Sequence, residues 1–382
     1  MARPNVLGFI VRPGRPHHKT DPEPLWCGRP ARTWVVAVFM VVAAGLSAAG
    51  AQETPTPFGA VVEVRRILTE VRVVDYDGSP VLGLGPGDFK VKVGGERAEV
   101  RSVLWIPSTV EAAETSGTET AGRPPTTTVA REAEGRLIVV LFQTDFSMHR
   151  SRTTGLVRMT PRASDFVAGL GPADKVAVLV YTSHLQLRAD FTDNHEAIAE
   201  MLTPQEVLRG RVEPPGASGP SLGEHLDPGD AKNAASMADA LELIGEALKP
   251  IPGAKSLVFF GYALGRMSAG NRITIDDGYR RAMEALSASR TSVFSLDVTD
   301  ADFHSLALGL RTIAEDTGGF YVKTHQFPDT AMKKLVRVIS SYYELEIIPP
   351  PGLEDEYTIK VSVDRPRTDV YVRQDHPSPY VW

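Results

Sequence analysis

Apolar residues follow two different rhythms along this chain. In residues 61–106 and again from Tyr343 onward they alternate with polar ones, as in 89–93, at Tyr343, Leu345 and Ile347, at Ile359, Val361 and Val363, and at Val370 and Val372. A period of two is that of strands buried on one face only. Asp77-Gly78 and Gly94-Gly95 stand where hairpin turns belong. Neither segment makes enough sheet to cover its own apolar face, so the two are expected to join as one β-sandwich.

Between them the rhythm changes. Residues 137–142, 176–181 and 256–260 are almost unbroken apolar runs, the mark of strands covered on both faces. They alternate with helical spacings. Thr160 and Pro161 fit the N-cap and first position of a helix presenting Ala163, Phe166, Val167 and Leu170. Met237, Leu241, Ile244 and Leu248 recur at i, i+4, i+7 and i+11, and residues 275–288 and 306–314 read the same way. Residues 291–297 and 320–322 are further strands, 185–191 an edge hairpin strand, and Pro328 opens a last helix. The expected fold is α/β: a doubly wound, mostly parallel sheet over residues 136–341, with a small β-sandwich from flanking segments 58–107 and 342–382. Residues 108–135, rich in Thr, Pro, Gly and Glu without apolar periodicity, read as a disordered linker.

The N-terminus and the charge narrow the function. Residues 33–51, TWVVAVFMVVAAGLSAAGA, follow Arg29 and Arg32 and close on Ala49-Gly50-Ala51, the pattern of a cleaved signal peptide over residues 1–51. Only about 17 of them are apolar, short of the ~20 that a spanning helix needs. Export to the periplasm or beyond is expected, with no stable membrane span after cleavage. Cys27 is the only cysteine and precedes the apolar run, so the remaining chain can form no disulfide and offers no thiolate ligand. Without residues 1–51 the formal charge falls from -6 to -10, which disfavours nucleic acid as a partner.

Three passages carry a family resemblance: VRVVDYDGSPVLGLGPGDFKV (71–91), LVFF (257–260) shortly after IPGAK, and IAEDTGGFYVKTHQFPDTAMKKLVRVISSYYELEIIPP (313–350). With the order of elements in 136–341, they make the chain resemble a von Willebrand factor A domain protein, within the VWFA-related family of exported bacterial proteins. The resemblance implies a non-enzymatic protein that binds a protein or glycan at the C-terminal ends of its parallel strands. It also implies a Mg²⁺ or Mn²⁺ adhesion site there, built from Asp-x-Ser-x-Ser after the first strand, a Thr in a later loop and an Asp after the fourth. Here the first loop reads QTDFSMHRS, so Asp145 and Ser147 match and His149 replaces the third residue. Counting from Leu137 puts Gln143 at the Asp position, so the register stays open. NAASMADAL places Ala235 at the Thr position beside Ser236, and FFGYALG places Gly261 and Tyr262 where Thr and Asp are usual. The expected site is degenerate: Asp145 and Ser147 would hold Mg²⁺ weakly at best, and no cofactor is expected.

Other chemistry has weaker support. Gly219-Pro220-Ser221-Leu222-Gly223 reads as Gly-x-Ser-x-Gly and offers an alternative, an envelope hydrolase using Ser221. A nucleophile elbow needs a strand before its Ser, and residues 210–220 contain none. No pair of histidines stands at i, i+4, although His149 and His184 follow strands and could join Asp145. The expected binding face is formed by residues 143–152, 182–185, 203–235 and 261–272, since open α/β sheets bind ligands beyond their strand C-termini.

Overall fold

The computed structural model describes residues 66–107, 135–145, 150–210, 212–267, 273–274 and 277–375. The signal segment 1–51, the linker 108–135 apart from Gly135, and Ser147 and His149 lie outside the described residues. All described residues belong to one compact unit, Val62–Trp382.

The chain opens with β1 (Ile67–Asp75), β2 (Phe89–Val93) and β3 (Glu96–Ile106). It continues through β4 (Leu137–Gln143), α1 (Arg150–Ala168), β5 (Lys175–Tyr181), β6 (Leu185–Thr192), α2 (His195–Met201), α3 (Pro204–Arg209), α4 (Pro228–Asn233) and α5 (Met237–Leu248). Then come β7 (Lys255–Gly261), the short pair β8 (Arg266–Met267) and β9 (Ile273–Thr274), α6 (Asp277–Ala288), β10 (Thr291–Asp297), α7 (Ala307–Asp316), β11 (Tyr321–Lys323) and α8 (Pro328–Val338). It returns through β12 (Tyr342–Ile348), β13 (Ile359–Val363) and β14 (Thr368–Val372).

The central sheet has the order β11-β10-β7-β4-β5-β6. All neighbours are parallel except the edge strand β6, which runs antiparallel to β5. Its strands are buried on both sides because helices cover both: α1, α2, α3 and α8 on one face, α5, α6 and α7 on the other. The order reverses direction between β4 and β7, which makes their C-terminal ends the topological switch point.

Helix α1 starts well before the Thr160-Pro161 pair, which therefore does not cap it. Pro161 lies inside the helix on its exposed side, and the Thr160 hydroxyl donates to the Leu156 carbonyl at 2.7 Å. Proline leaves the Val157 carbonyl without its donor. Val157 is 44% exposed, so water can take that role and the helix continues. Gly155 marks where α1 meets the end of β10: a Cβ there would fall 1.5 Å from the Val298 carbonyl oxygen. Gly155→Ala is therefore expected to destabilise the protein by about 1–3 kcal/mol through overpacking, outweighing the ~1 kcal/mol that alanine contributes to helix propensity. Urea unfolding of the variant checks this.

The flanking segments pair with each other, but not as two facing sheets. They form one antiparallel sheet of order β13-β2-β3-β12-β1-β14. Strand β3 is long enough to pair with β2 at its start and with β12 along the rest, where a register shift between Glu346 and Ile347 bends the sheet. The consecutive strands β13 and β14 thus end up at opposite edges and in contact. The sheet curls around a single core of Val71, Phe89, Val91, Tyr343, Leu345 and Ile359. The Tyr343 hydroxyl donates to the Val81 carbonyl and accepts from the Leu84 amide, fixing the β1–β2 connection across that core.

This β lobe docks on the strand N-terminal end of the α/β lobe. Arg72 Nη1 of β1 donates to Ser292 Oγ and to the Gly318 carbonyl, and Arg290 reaches Glu70 and Glu344. Gly318, at φ +73°, lets Arg373 approach so closely that a Cβ would meet its amide nitrogen at 2.7 Å. The lobe leaves the opposite end of the sheet, with its switch point, uncovered.

Candidate functional site

At the switch point the first strand ends on Gln143, which is buried. Its Oε1 accepts from the amides of Tyr262 (3.0 Å) and Ala263 (3.1 Å), tying the end of β4 to the loop after β7. Tyr262 turns back across the crevice. Its hydroxyl lies 2.6 Å from Asp145 Oδ1 and also meets the Asp145 carbonyl, and the Arg152 guanidinium covers its ring at 4.1 Å. The Tyr262 side chain is only 2% exposed. An aromatic ring thus fills the gap in which open α/β sheets usually hold a ligand.

Burial pushes the Asp145 carboxyl above its ordinary range, and the hydrogen bonds of Tyr262 and Gln143 and the charge of Arg152 offset this in part. Asp145 is therefore poised as a partner for the Tyr262 hydroxyl. Of the other described positions singled out in the sequence, Ser236 and His184 have their hydrogen bonds elsewhere. Ser236 caps α5 through the Asp239 amide and donates to the Asp239 carboxylate. His184 hydrogen-bonds Ser183 and Gln186. The described residues leave few oxygens for a Mg²⁺ or Mn²⁺ ion: Asp145 Oδ1 already meets a hydroxyl, and Gln143 Oε1 already takes two amides. No group of three His, Cys, Asp or Glu side chains placed to hold a metal ion occurs among the described residues.

The same end of the sheet carries a second cluster that sequence reasoning missed. Asp297, buried at the end of β10, accepts from the Tyr321 hydroxyl at 2.7 Å and the Thr299 amide at 3.0 Å, and His304 Nε2 lies 2.6 Å from its Oδ2. Burial, reinforced by the charge of Asp297, holds the Tyr321 hydroxyl far above its ordinary range, so it stays a donor. Asp300 pairs with Arg158 (2.7 Å) and His325 (2.5 Å), whose hydrogen bonds hold its carboxyl below the usual range. Gln326 donates to Asp302 at 2.7 Å and joins the loops after β10 and β11. These bonds fix two loops that present Phe303 and Phe327, 80% and 68% exposed. An isolated Phe in DVTDADFH was the available signal, since it fits no helix or strand face.

No protein-family model and no curated protein matches the sequence. Solved structures similar to this one include proximal thread matrix protein 1 from the mussel byssus, at 13% identity and TM-score 0.35 over 53% of this chain and 47% of that one. BatB from Bacteroides thetaiotaomicron is similar at 15% identity and TM-score 0.35 over 54% and 98% of the two chains. A von Willebrand factor type A protein from Catenulispora acidiphila is similar at 9% identity and TM-score 0.38 over 80% and 74%. This chain spans about half the length of the mussel protein.

The loop holding Ser221 lies elsewhere. Lys175, the first residue of β5, contacts the Ser218 carbonyl, and the Ser218 amide donates to Phe191 near the end of the antiparallel β6. Both anchors stand at the strand N-terminal end. Residues 212–227 therefore wrap around the edge strand away from the switch point, and the expectation that all of 203–235 belongs to the binding face is corrected. Asp190 is the reason: its carboxylate takes the Ser221 hydroxyl (2.5 Å) and the amides of Leu222 (2.7 Å) and Gly223 (3.1 Å). Asp227 caps α4 through Gly229 and Asp230. Ser221 thus follows a loop rather than a strand, with its hydroxyl committed to a carboxylate, and no nucleophile elbow is formed. No helix among the described residues is long and apolar enough to cross a membrane.

Proposed function

We propose that this chain is an exported, non-enzymatic interaction module of the von Willebrand factor A type that receives a protein or glycan partner on the strand C-terminal end of its α/β lobe, without a metal ion. The observation that supports the reading is the bonding at the switch point, where the Tyr262 hydroxyl lies on Asp145 and Gln143 Oε1 takes two loop amides. What this end offers instead is a set of hydrogen-bonded loops with two exposed aromatic side chains, the residue type that anchors protein interfaces. The β lobe covers the other end of the sheet, which leaves this one for a partner. Export rests on the leader sequence and predicts a mature N-terminus at Gln52.

The test is photocrosslinking in an envelope fraction, with p-benzoylphenylalanine placed at Phe303 or, for comparison, at the equally exposed Tyr76 in the β1–β2 turn. Discrete covalent adducts are expected from position 303, undiminished by EDTA, and not from position 76. Adducts from position 76 alone, or adducts at 303 that disappear in EDTA, contradict the proposal.

A further inference from the structure

Hydrogen bonding accounts for one side of the last strand of the central sheet and not for the other. Strand β11 ends the sheet and pairs only with β10. The Ser295 amide donates to the Phe320 carbonyl, and the Thr324 amide donates to the Asp297 carbonyl. Backbone groups alternate in direction along a strand, so Phe320, Val322 and Thr324 face β10 while the amides and carbonyls of Tyr321 and Lys323 point away from it. These four outward groups have no hydrogen-bond partner among the described residues. Both residues are only half-buried. The opposite edge is treated differently, since residues 212–227 wrap β6 and the Ser218 amide donates to the Phe191 carbonyl.

An unpaired edge is commonly guarded by a charged side chain, lysine above all. Lys323 does not stand guard, because its ammonium is turned onto the Asp302 carbonyl. Tyr321 is held down as well: its hydroxyl donates to Asp297 at 2.7 Å, and the Arg311 guanidinium covers its ring at 5.3 Å. The backbone itself is thus the surface on offer. Two donors and two acceptors at the spacing of one strand repeat match the backbone of a second extended chain, which sugar hydroxyls do not reproduce. Phe303 and Phe327 stand close to the end of the same strand, each following one partner of the Gln326–Asp302 hydrogen bond.

We infer that β11 takes an extended polypeptide of the partner as an added strand, through the outward backbone groups of Tyr321 and Lys323, with an apolar side chain of that peptide on Phe303 or Phe327. The inference rests on the interaction face proposed above and narrows its partner to a polypeptide. Two copies of this chain meeting edge to edge would match only three residues against three, far short of the area that a stable dimer buries. A longer peptide gains the two aromatic contacts in addition.

A phage-displayed library of random peptides, selected on the full-length protein, supplies the probe. The tightest selected peptide is expected to slow hydrogen exchange at the Tyr321 and Lys323 amides, read by nuclear magnetic resonance. Lys323→Pro removes one outward donor and leaves the pairing with β10 intact, and it is expected to weaken the peptide at least about tenfold. Lys323→Ala keeps the amide and is expected to bind within about twofold of wild type. The same peptide N-methylated at alternate residues removes the donors from the ligand instead, and should lose binding to the unaltered protein as strongly. The inference is overturned if no peptide is enriched, if the N-methylated or Lys323→Pro pair binds like the parent pair, or if the two amides stay unprotected in the complex. A dimer that Lys323→Pro dissociates also overturns it, by making a second copy the occupant. Adducts at position 303 in the envelope fraction that yield to glycosidase and not to protease overturn strand addition but keep the interaction face, whereas a lack of adducts there removes the face as well.

Discussion

Glu70→Ala is expected to cost about 3–5 kcal/mol of stability, the usual penalty for removing one partner of a buried ion pair. Glu70 is fully buried and its Oε1 takes Arg290 Nε (3.0 Å) and Arg373 Nη1 (3.1 Å), so its loss strands the buried Arg373 guanidinium, while Arg290 is partly exposed and keeps Glu344. The cluster also joins the lobes, since Glu70 and Arg373 come from the β lobe and Arg290 from the connection between α6 and β10. Glu346→Ala is the control. Glu346 is half-buried and meets Arg66 at 2.8 Å and the Ser102 hydroxyl at 2.9 Å, but both partners lie at the surface, where such contacts contribute about 1 kcal/mol. Urea unfolding at pH 7 should separate the two variants clearly, and equal midpoints would show that the lobes are held by apolar packing instead.

Asp174→Asn is expected to cost about 2–3 kcal/mol at neutral pH, and the cost should vanish in acid. Asp174 has no exposed side-chain surface. It takes Arg136 Nη2 at 2.5 Å, Arg136 Nε at 2.9 Å, and the amides of Arg136 and Gly171. Burial opposes the charged form, but the Arg136 hydrogen bonds and charge outweigh it and hold the carboxyl below its ordinary range. A carboxyl depressed by folding contributes stability that is fully present above its unfolded value near 4 and is lost as the pH falls through the lower folded value. The difference between wild type and Asp174→Asn should therefore be constant from pH 7 to about 5 and close below about pH 4. A difference that persists unchanged at pH 3 would mean that the side chain acts through shape alone.

The α/β lobe was legible because burial on both faces leaves nothing else to write in its strands: LIVVLF in β4 and LVFF in β7 can only be central. Helix α1 was legible over its second half only. Thr160-Pro161 imitates a helix start, and whether a proline breaks a helix depends on solvent reaching the carbonyl four residues before it, a property of the fold. The joining of the two β segments followed from their unpartnered faces. The curled sheet did not, because the bend lies in the register of β3 against β12 rather than in any one residue. At the candidate site, Gln143 and Tyr262 were visible as departures from a metal-binding pattern. Their sequence did not reveal that they satisfy each other's loops across 119 positions. The placement of Ser221 failed for the same reason, since Asp190 holds its loop from 31 residues away. Asp297 was not legible because a single Asp at a strand end carries no pattern of its own.

The central claim, that the switch point is closed by its own side chains and works without a metal, is tested most directly by calorimetric titration of the protein with Mn²⁺ and Mg²⁺. With Asp145 bonded to Tyr262 and Gln143 bonded to two amides, binding no tighter than about millimolar is expected, because too few oxygens are available to replace the ion's water shell. Micromolar binding that disappears in Asp145→Ala would contradict the account and show that Tyr262 yields its place to a working metal site.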